Sequence, residues 1–113
     1  MNAPLFPYTG PESLRPSIEA ALLRVVDPEV AMTIVDVGLV YGVHVAPGPL
    51  GPWHVTMTMT SPACPVTDLL LEEAQAELER IAPAGTAIEV ELVWKPAWTT
   101  DHMSPRAKAF MGW

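Results

Sequence analysis

The chain has 113 residues, half of them apolar, which fits one domain with a packed core. Thirteen acidic residues against six basic ones give a formal net charge of -7 at pH 7, which excludes nonspecific nucleic-acid binding because phosphate backbones are repelled. We expect no membrane span, and residues 1–10 show no features of a targeting peptide, so we expect a cytoplasmic protein. The single cysteine, Cys64, excludes an internal disulfide and a zinc site of paired cysteines within one chain.

The N-terminal part of the chain predicts an arm followed by a helix. Residues 1–12 lack a hydrophobic period and predict an extended arm, and residues 13–113 predict a single domain. From residue 14 to residue 25, apolar side chains recur every three or four positions, which predicts an amphipathic helix with Ser13 at its N-cap. The Asp-Pro pair at 27–28 is expected to end that helix.

Two strands are predicted in the middle of the chain. Residues 33–37 are too short to assign, but the valine-rich residues 39–46 predict a strand. A loop rich in proline and glycine, 47–52, then turns the chain back. Residues 53–60 alternate strictly between apolar and polar side chains, which predicts a second strand covered on one side only.

A second helix and a third strand complete the predicted domain. Residues 65–81 predict the longer helix, with an apolar stripe and an acidic outer face, and residues 88–94 predict the strand. A short C-terminal helical segment is expected to start at Ser104 and stop at Gly112. The predicted fold class is α+β, a two-layer α-β-β-α-β domain with a small three-stranded sheet and both main helices on one face.

Cys64 is the most informative candidate for chemistry. It precedes the predicted second helix, at or next to its N-cap, where free backbone N–H groups and the helix dipole favour an anion and lower a thiol pKa. Against this, no Lys or Arg lies nearby in the sequence, and a lone cysteine is often a small buried hydrophobe. Position alone leaves both interpretations open.

The spacing of the other polar candidate residues does not distinguish a functional role from a structural one. Asp27, Glu29 and Asp36 lie in otherwise apolar segments, but aspartates near proline or in short turns are common structural residues. The three histidines form no ligand pair at helical spacing and are interpreted as surface or satisfied residues; they are His44, His54 and His102. The sequence contains no phosphate loop, nucleophile elbow or dinucleotide fingerprint, so we predict no catalytic residue and no enzyme.

Four ordered motifs carry a family resemblance that covers about residues 14–112. They are Asp-Pro-Glu-Val at 27–30, Ile-Val-Asp-Val-Gly-Leu-Val-Tyr at 34–41, Met-Thr-Met-Thr-Ser-Pro-Ala-Cys-Pro at 57–65 and Val-Trp-Lys-Pro-Ala-Trp-Thr at 93–99. Together they resemble the small metal–sulfur cluster assembly factors of the SufT and PaaD type. The absence of a second cysteine favours the SufT-like interpretation, since PaaD proteins usually continue into a cysteine-rich tail.

The resemblance implies an α+β domain and a role in maturing iron–sulfur proteins. The family's cysteine falls on Cys64, and its two carboxylate motifs fall on Asp27, Glu29 and Asp36. Its Thr-Thr pair falls on Thr60 and Ser61, where serine keeps the hydroxyl.

Ligand number limits the mechanism, because clusters are normally held by four thiolates or by thiolates mixed with imidazoles. The resulting hypothesis is that Cys64 transiently binds iron or an iron–sulfur cluster, across a homodimer or with ligands from a partner, and transfers it to client apoproteins. Asp27, Glu29 and Asp36 would provide oxygen ligands or hold the cysteine loop, which Thr60 and Ser61 would orient.

Two alternatives remain open at the level of sequence. One is a metal-free adaptor that links the cluster assembly machinery to its clients through the acidic helix and aromatic terminus, including a PaaD-like accessory role in oxygenase maturation. The other is a thiol enzyme or persulfide carrier, which requires Cys64 to react much faster than a free thiol.

Overall fold

The structure is a computed structural model that describes residues 6–28, 31–48, 51–60 and 66–112. Its strands are β1 (Tyr8–Thr9), β2 (Val26–Asp27), β3 (Met32–Thr33), β4 (Val40–Val45), β5 (Trp53–Met57) and β6 (Ile88–Leu92). Its helices are α1 (Arg15–Leu22), α2 (Ile34–Val37), α3 (Thr67–Ile81) and α4 (Pro105–Met111), with a 3-10 turn at Thr100–His102. Within these residues, no helix has both the length and the apolar character needed to cross a membrane.

The main sheet has four strands in the order β1-β4-β5-β6, and β2 pairs with β3 in a separate two-stranded sheet. β4 and β5 form the predicted antiparallel pair, whereas β5 and β6 run parallel and are connected through α3. The α+β class is confirmed, but the predicted three-stranded sheet is wrong because β1 adds parallel to β4. Phe6, also in the predicted arm, is only 5% exposed and belongs to the core.

The core contains buried residues of the sheet and of the two longer helices. α1 contacts α3, and α3 contacts β6. β5 contributes its buried Trp53, Val55 and Met57. The apolar stripe predicted for α3 is confirmed: Leu70, Ala74 and Leu78 are buried, and Leu71 and Ile81 are half-buried against the same core. The placement of both helices on one face of the sheet stays a prediction.

Several predicted element ends are wrong by a few residues. α1 begins at Arg15 with Leu14 at its N-cap, so Ser13 does not cap it, and the helix ends at Leu22 before Asp27 enters β2. β5 ends at Met57, although the Thr58 N–H still donates to the Leu39 carbonyl at 2.8 Å. The predicted alternation ends there too, because both of the next two side chains are buried.

The longer helix also begins later than predicted. Its first residue is Thr67, and its N-cap is Val66, which makes no side-chain capping bond. Cys64 therefore lies two positions before the cap and not at it. The C-terminal helix is confirmed at both ends, since Ser104 caps α4 and Gly112 ends it with φ +76°.

Candidate functional site

The second predicted motif folds into α2, a single helical turn that positions Asp36. Thr33 is its N-cap, and the Thr33 hydroxyl accepts a hydrogen bond from the Asp36 backbone N–H at 3.0 Å. The same hydroxyl donates to Asp36 Oδ2 at 3.1 Å. Gly38 ends the helix with φ +85°, a left-handed conformation that favours glycine. Asp36 is thus held from both its backbone and its side chain.

The Asp36 carboxylate joins α2 to the C-terminal part of the chain. Ser104 Oγ donates to Asp36 Oδ1 at 2.9 Å, and the Ser104 backbone N–H donates to the Asp36 carbonyl at 2.9 Å. Arg106 Nη2 donates to Asp36 Oδ2 at 3.2 Å, although the Arg106 side chain is 84% exposed and that of Asp36 only 14%. The carboxylate oxygens are therefore already engaged by donors of this chain.

Residues 98–106, which we call the C-terminal clasp, make two more contacts with the same region. Trp98 Nε1 donates to the Val37 carbonyl at 2.9 Å. Gly38 lies so close to His102 that an added Cβ would meet the His102 backbone carbonyl. The fourth motif, at 93–99, thus ends inside the clasp, where the Trp98 indole is hydrogen-bonded to α2.

Tyr41 lies beside the clasp at the start of β4. Its hydroxyl donates to the Pro96 carbonyl at 2.8 Å, and its ring centroid is 5.1 Å from that of His102. Burial raises the pKa of Tyr41 above its usual value, an effect that the nearby Thr58 hydroxyl partly opposes. Thr58 itself is fully buried. The motif tyrosine is therefore a neutral, packed residue at neutral pH.

Asp27 occupies a different position from Asp36. It lies in β2 opposite Met32, and its carbonyl accepts a hydrogen bond from the Ala31 backbone N–H at 2.8 Å. The residue is only 2% exposed. Asp27 is therefore part of the packed interior, whereas the Asp36 side chain reaches the surface beside Arg106.

The predicted site falls only partly on described residues. Cys64, Glu29 and Ser61 lie outside them, and Thr60 is exposed at the last described position before residues 61–65. Both ends of that segment join the core: Met57 and Met59 are buried before it, and Leu70 is buried in the first turn of α3 after it. The segment that carries the thiol is thus anchored on each side.

Two of the three histidines have local partners, and His44 is exposed. His54 lies between two carboxylates of β6, with Nδ1 3.0 Å from Glu89 and Nε2 2.8 Å from Glu91. His102 Nδ1 accepts from the Thr99 backbone N–H at 3.1 Å within the 3-10 turn. Both agree with the interpretation of satisfied surface histidines. Across the described ranges, no group of three or more His, Cys, Asp or Glu side chains is arranged to hold a metal ion.

Sequence reasoning identified Asp36 but missed the residues that hold it. The Thr33-x-x-Asp36 spacing is a capping signal that could have assigned the turn. Ser104 was recognised only as a helix start, and nothing in the spacing indicated that it, Arg106 and Trp98 contact α2, more than 60 residues earlier.

Comparison with known proteins supports the resemblance carried by the four motifs. A family described as "Iron-sulfur cluster assembly protein" matches residues 15–91. "Fe-S protein maturation auxiliary factor YitW" of Bacillus subtilis is 42% identical over 101 residues, covering 89% of this chain and 96% of that protein. "Fe-S protein maturation auxiliary factor SufT" of Staphylococcus aureus is 41% identical over 88 residues, covering 78% of this chain and 97% of that protein.

A solved structure extends the likeness to the fold. The crystal structure of a domain of unknown function, DUF59, from Bacillus anthracis superposes with a TM-score of 0.80 and 36% identity. The superposition covers 89% of this chain and 93% of that one. From the family match over residues 15–91 and these relatives, we conclude that the chain belongs to the family of iron–sulfur cluster assembly proteins.

Proposed function

We propose that this protein acts in the maturation of iron–sulfur proteins, where Cys64 transiently binds iron or an iron–sulfur cluster and passes it to client apoproteins. The observation that carries the proposal is membership of the cluster assembly family. It is combined with a single cysteine, Cys64, at the position where the motif resemblance implies the family's cysteine. In this role the protein is a carrier and not a catalyst, and the metal is its cargo. A cytoplasmic location stays a prediction.

The anchoring of the thiol segment supports a carrier role. Residues 61–65 connect Thr60 to Val66, and buried residues lie on both sides of them. Such an arrangement places packed residues before and after the part of the sequence that carries the thiol. We propose that Thr60 and Ser61 orient the segment.

The described contacts refine the roles of the carboxylates. Because both oxygens of Asp36 already accept hydrogen bonds, we propose that Asp36 acts by holding α2 and the C-terminal clasp together and not as a permanent ligand. Asp27 is buried and is proposed to support the neighbouring hairpin of β2 and β3. Glu29 keeps its proposed role as an oxygen ligand or a support of the cysteine loop.

One thiol per chain cannot complete the coordination of a cluster. A cluster held by thiolates or by thiolate and imidazole mixtures needs further ligands, which we propose come from a second copy of this chain or from the client. Incomplete coordination favours transfer, since a ligand of the acceptor can enter without displacing a full ligand set.

A client-activation assay tests the proposal. An apo iron–sulfur enzyme is incubated anaerobically with iron, sulfide and either the wild type, Cys64→Ala or Cys64→Ser. We expect the enzyme to recover activity faster with the wild type than with either variant. The wild type should also show visible charge-transfer absorption, which both variants should lack. Equal recovery and equal spectra for all three proteins would contradict cluster binding by Cys64.

The adaptor role is a second candidate, favoured by the acidic outer face of α3, where Asp68, Glu72 and Glu79 are exposed. It predicts that Cys64→Ser still supports client maturation while charge reversal at these carboxylates does not. A third role, as a thiol enzyme or persulfide carrier, predicts alkylation of Cys64 much faster than that of a free thiol. The measured thiol pKa separates it from the adaptor.

A further inference from the structure

β6 is the last strand of the main sheet and pairs only with β5 among the described strands. Two hydrogen bonds fix the direction of its backbone groups: the Trp53 N–H donates to the Ala87 carbonyl at 2.9 Å, and the Val93 N–H donates to the Met57 carbonyl at 2.8 Å. In a parallel ladder, alternate residues of a strand bond to the same neighbour. The odd-numbered residues 87–93 therefore face β5, and the backbone groups of Ile88, Val90 and Leu92 point away from the sheet.

This outer edge is open over most of its length. The Gln75 side chain donates to the Ile88 carbonyl at 3.3 Å and so covers one end. Over the described parts of the chain, the backbone groups of Val90 and Leu92 have no hydrogen-bond partner on that side. An unpaired row of N–H and C=O groups is a template for another strand.

The side chains of β6 define the chemistry of that template. Glu89 and Glu91 are exposed on one face, where each contacts the His54 ring through Oε1, and these contacts leave Oε2 for a further partner. The alternate residues Ile88, Val90 and Leu92 are half-buried on the other face. An added strand would thus meet two carboxylates on one face and the rim of the core on the opposite face. Opposite charges directly across a strand pair stabilise it, and like charges destabilise it.

A second copy of this chain does not fit the edge. If two β6 strands paired antiparallel about Val90, Glu89 of each copy would lie opposite Glu91 of the other. Each copy also carries a formal net charge of -7, so both local and long-range electrostatics oppose self-pairing. The charge pattern instead fits a strand with basic residues at alternate positions.

We propose that the free edge of β6 is a docking site for an extended, basic segment of a partner protein. The segment adds to the sheet as a further, antiparallel strand, with main-chain hydrogen bonds to Val90 and Leu92 and with lysine or arginine side chains opposite Glu89 and Glu91. Small apolar residues between the basic ones cover the half-buried face. The proposal does not rest on cluster binding by Cys64.

Peptide binding to the full chain tests this docking site. The probe is a fluorescein-labelled Lys-Val-Lys-Val-Lys peptide, and fluorescence anisotropy measures its Kd for the wild type, Glu89→Lys/Glu91→Lys and Glu12→Lys/Asp101→Lys. The two double variants change the net charge equally, but Glu12 and Asp101 are exposed outside β6. We expect the β6 variant to bind about tenfold more weakly, since two attractive cross-strand pairs become repulsive, and the control to bind within about threefold of the wild type.

A second probe tests the main-chain bonds without changing the protein. The same peptide with N-methylated valines keeps its charge but loses the valine N–H groups. These groups face Val90 and Leu92 when the peptide adds antiparallel to β6 with its lysines opposite the glutamates. We expect its binding to weaken by about tenfold or more, since main-chain hydrogen bonds are lost while the charge attraction stays. Equal binding of the methylated and unmethylated peptides, equal weakening by both double variants, or a wild-type dimer that Glu89→Lys/Glu91→Lys alone dissociates would each overturn the proposal.

Discussion

Replacing Asp36 with alanine removes the acceptor that connects α2 to the C-terminal clasp. The Ser104 hydroxyl at 2.9 Å and the Thr33 hydroxyl at 3.1 Å both lose their partner, and the Arg106 guanidinium loses its ion pair. The Asp36 side chain is only 14% exposed, so water replaces it poorly. We therefore expect the substitution to destabilise the fold and to loosen the clasp.

The size of the effect follows from the burial of each partner. A hydrogen bond to a charged, largely buried acceptor contributes about 1.5–3 kcal/mol, which applies to Ser104. The Thr33 hydroxyl still accepts from the backbone N–H of residue 36, so its loss is nearer 1 kcal/mol. The Arg106 side chain is 84% exposed, and screening leaves that pair about 0–1 kcal/mol. The free energy of unfolding should fall by about 3 kcal/mol for Asp36→Ala and by about half as much for Asp36→Asn, which keeps an acceptor oxygen.

Urea unfolding followed by tryptophan fluorescence measures these differences, because Trp98 is hydrogen-bonded to α2. Arg106→Ala and Asp101→Ala are the controls, and each should change the free energy of unfolding by less than about 1 kcal/mol. If Asp36→Ala unfolds within about 1 kcal/mol of the wild type, the carboxylate does not hold the clasp, and its assignment as a positioning residue fails.

Three further substitutions test the same region. Burial raises the pKa of Tyr41 in the folded protein, whereas an unfolded tyrosine ionises near pH 10. The free energy of unfolding should therefore fall as the pH rises above about 10. Urea titrations at several pH values should show a less steep fall for Tyr41→Phe. Gly38→Ala forces a left-handed φ and a collision with His102, so its unfolding free energy should drop by about 3 kcal/mol or more; an unchanged midpoint would refute that geometry. In thermal unfolding, Trp98→Phe should lower the free energy of unfolding by about 1 kcal/mol, because the indole hydrogen bond is lost. Trp94→Phe should change the free energy of unfolding little, because Trp94 is 42% exposed.

Local signals explain why the longer elements were predictable. The apolar stripe of α3 recurs over 15 residues, long enough for a helical period to stand out against chance. The ends of α4 depend on cap chemistry that lies within a few residues, at Ser104 and Gly112. Where the structural cause is local in sequence, the prediction holds.

The strands β1, β2 and β3 are too short for any period, with two residues each, and they exist because of pairing with distant or folded-back segments. Thr58 does not follow the expected alternation, because tertiary packing buries Met57, Thr58 and Met59 alike at the end of β5.

In the candidate site, too, residues with a local sequence signal were predictable and residues that meet only through tertiary contacts were not. Asp36 was identified from its motif, and Thr33 was within reach of a capping rule. Ser104 and Arg106 follow Asp36 by 68 and 70 residues, and no spacing rule connects positions so far apart. The role of the carboxylate as a junction, and not only as a candidate ligand, therefore emerged from tertiary structure alone.

The 68-residue separation between Asp36 and Ser104 also has a consequence for synthesis of the protein on the ribosome. The motif aspartate is translated 68 residues before the hydroxyl that engages it. A nascent chain therefore has its α2 carboxylate without the Ser104 and Arg106 donors until those 68 to 70 further residues have been added, and the α2 region completes its native contacts only then.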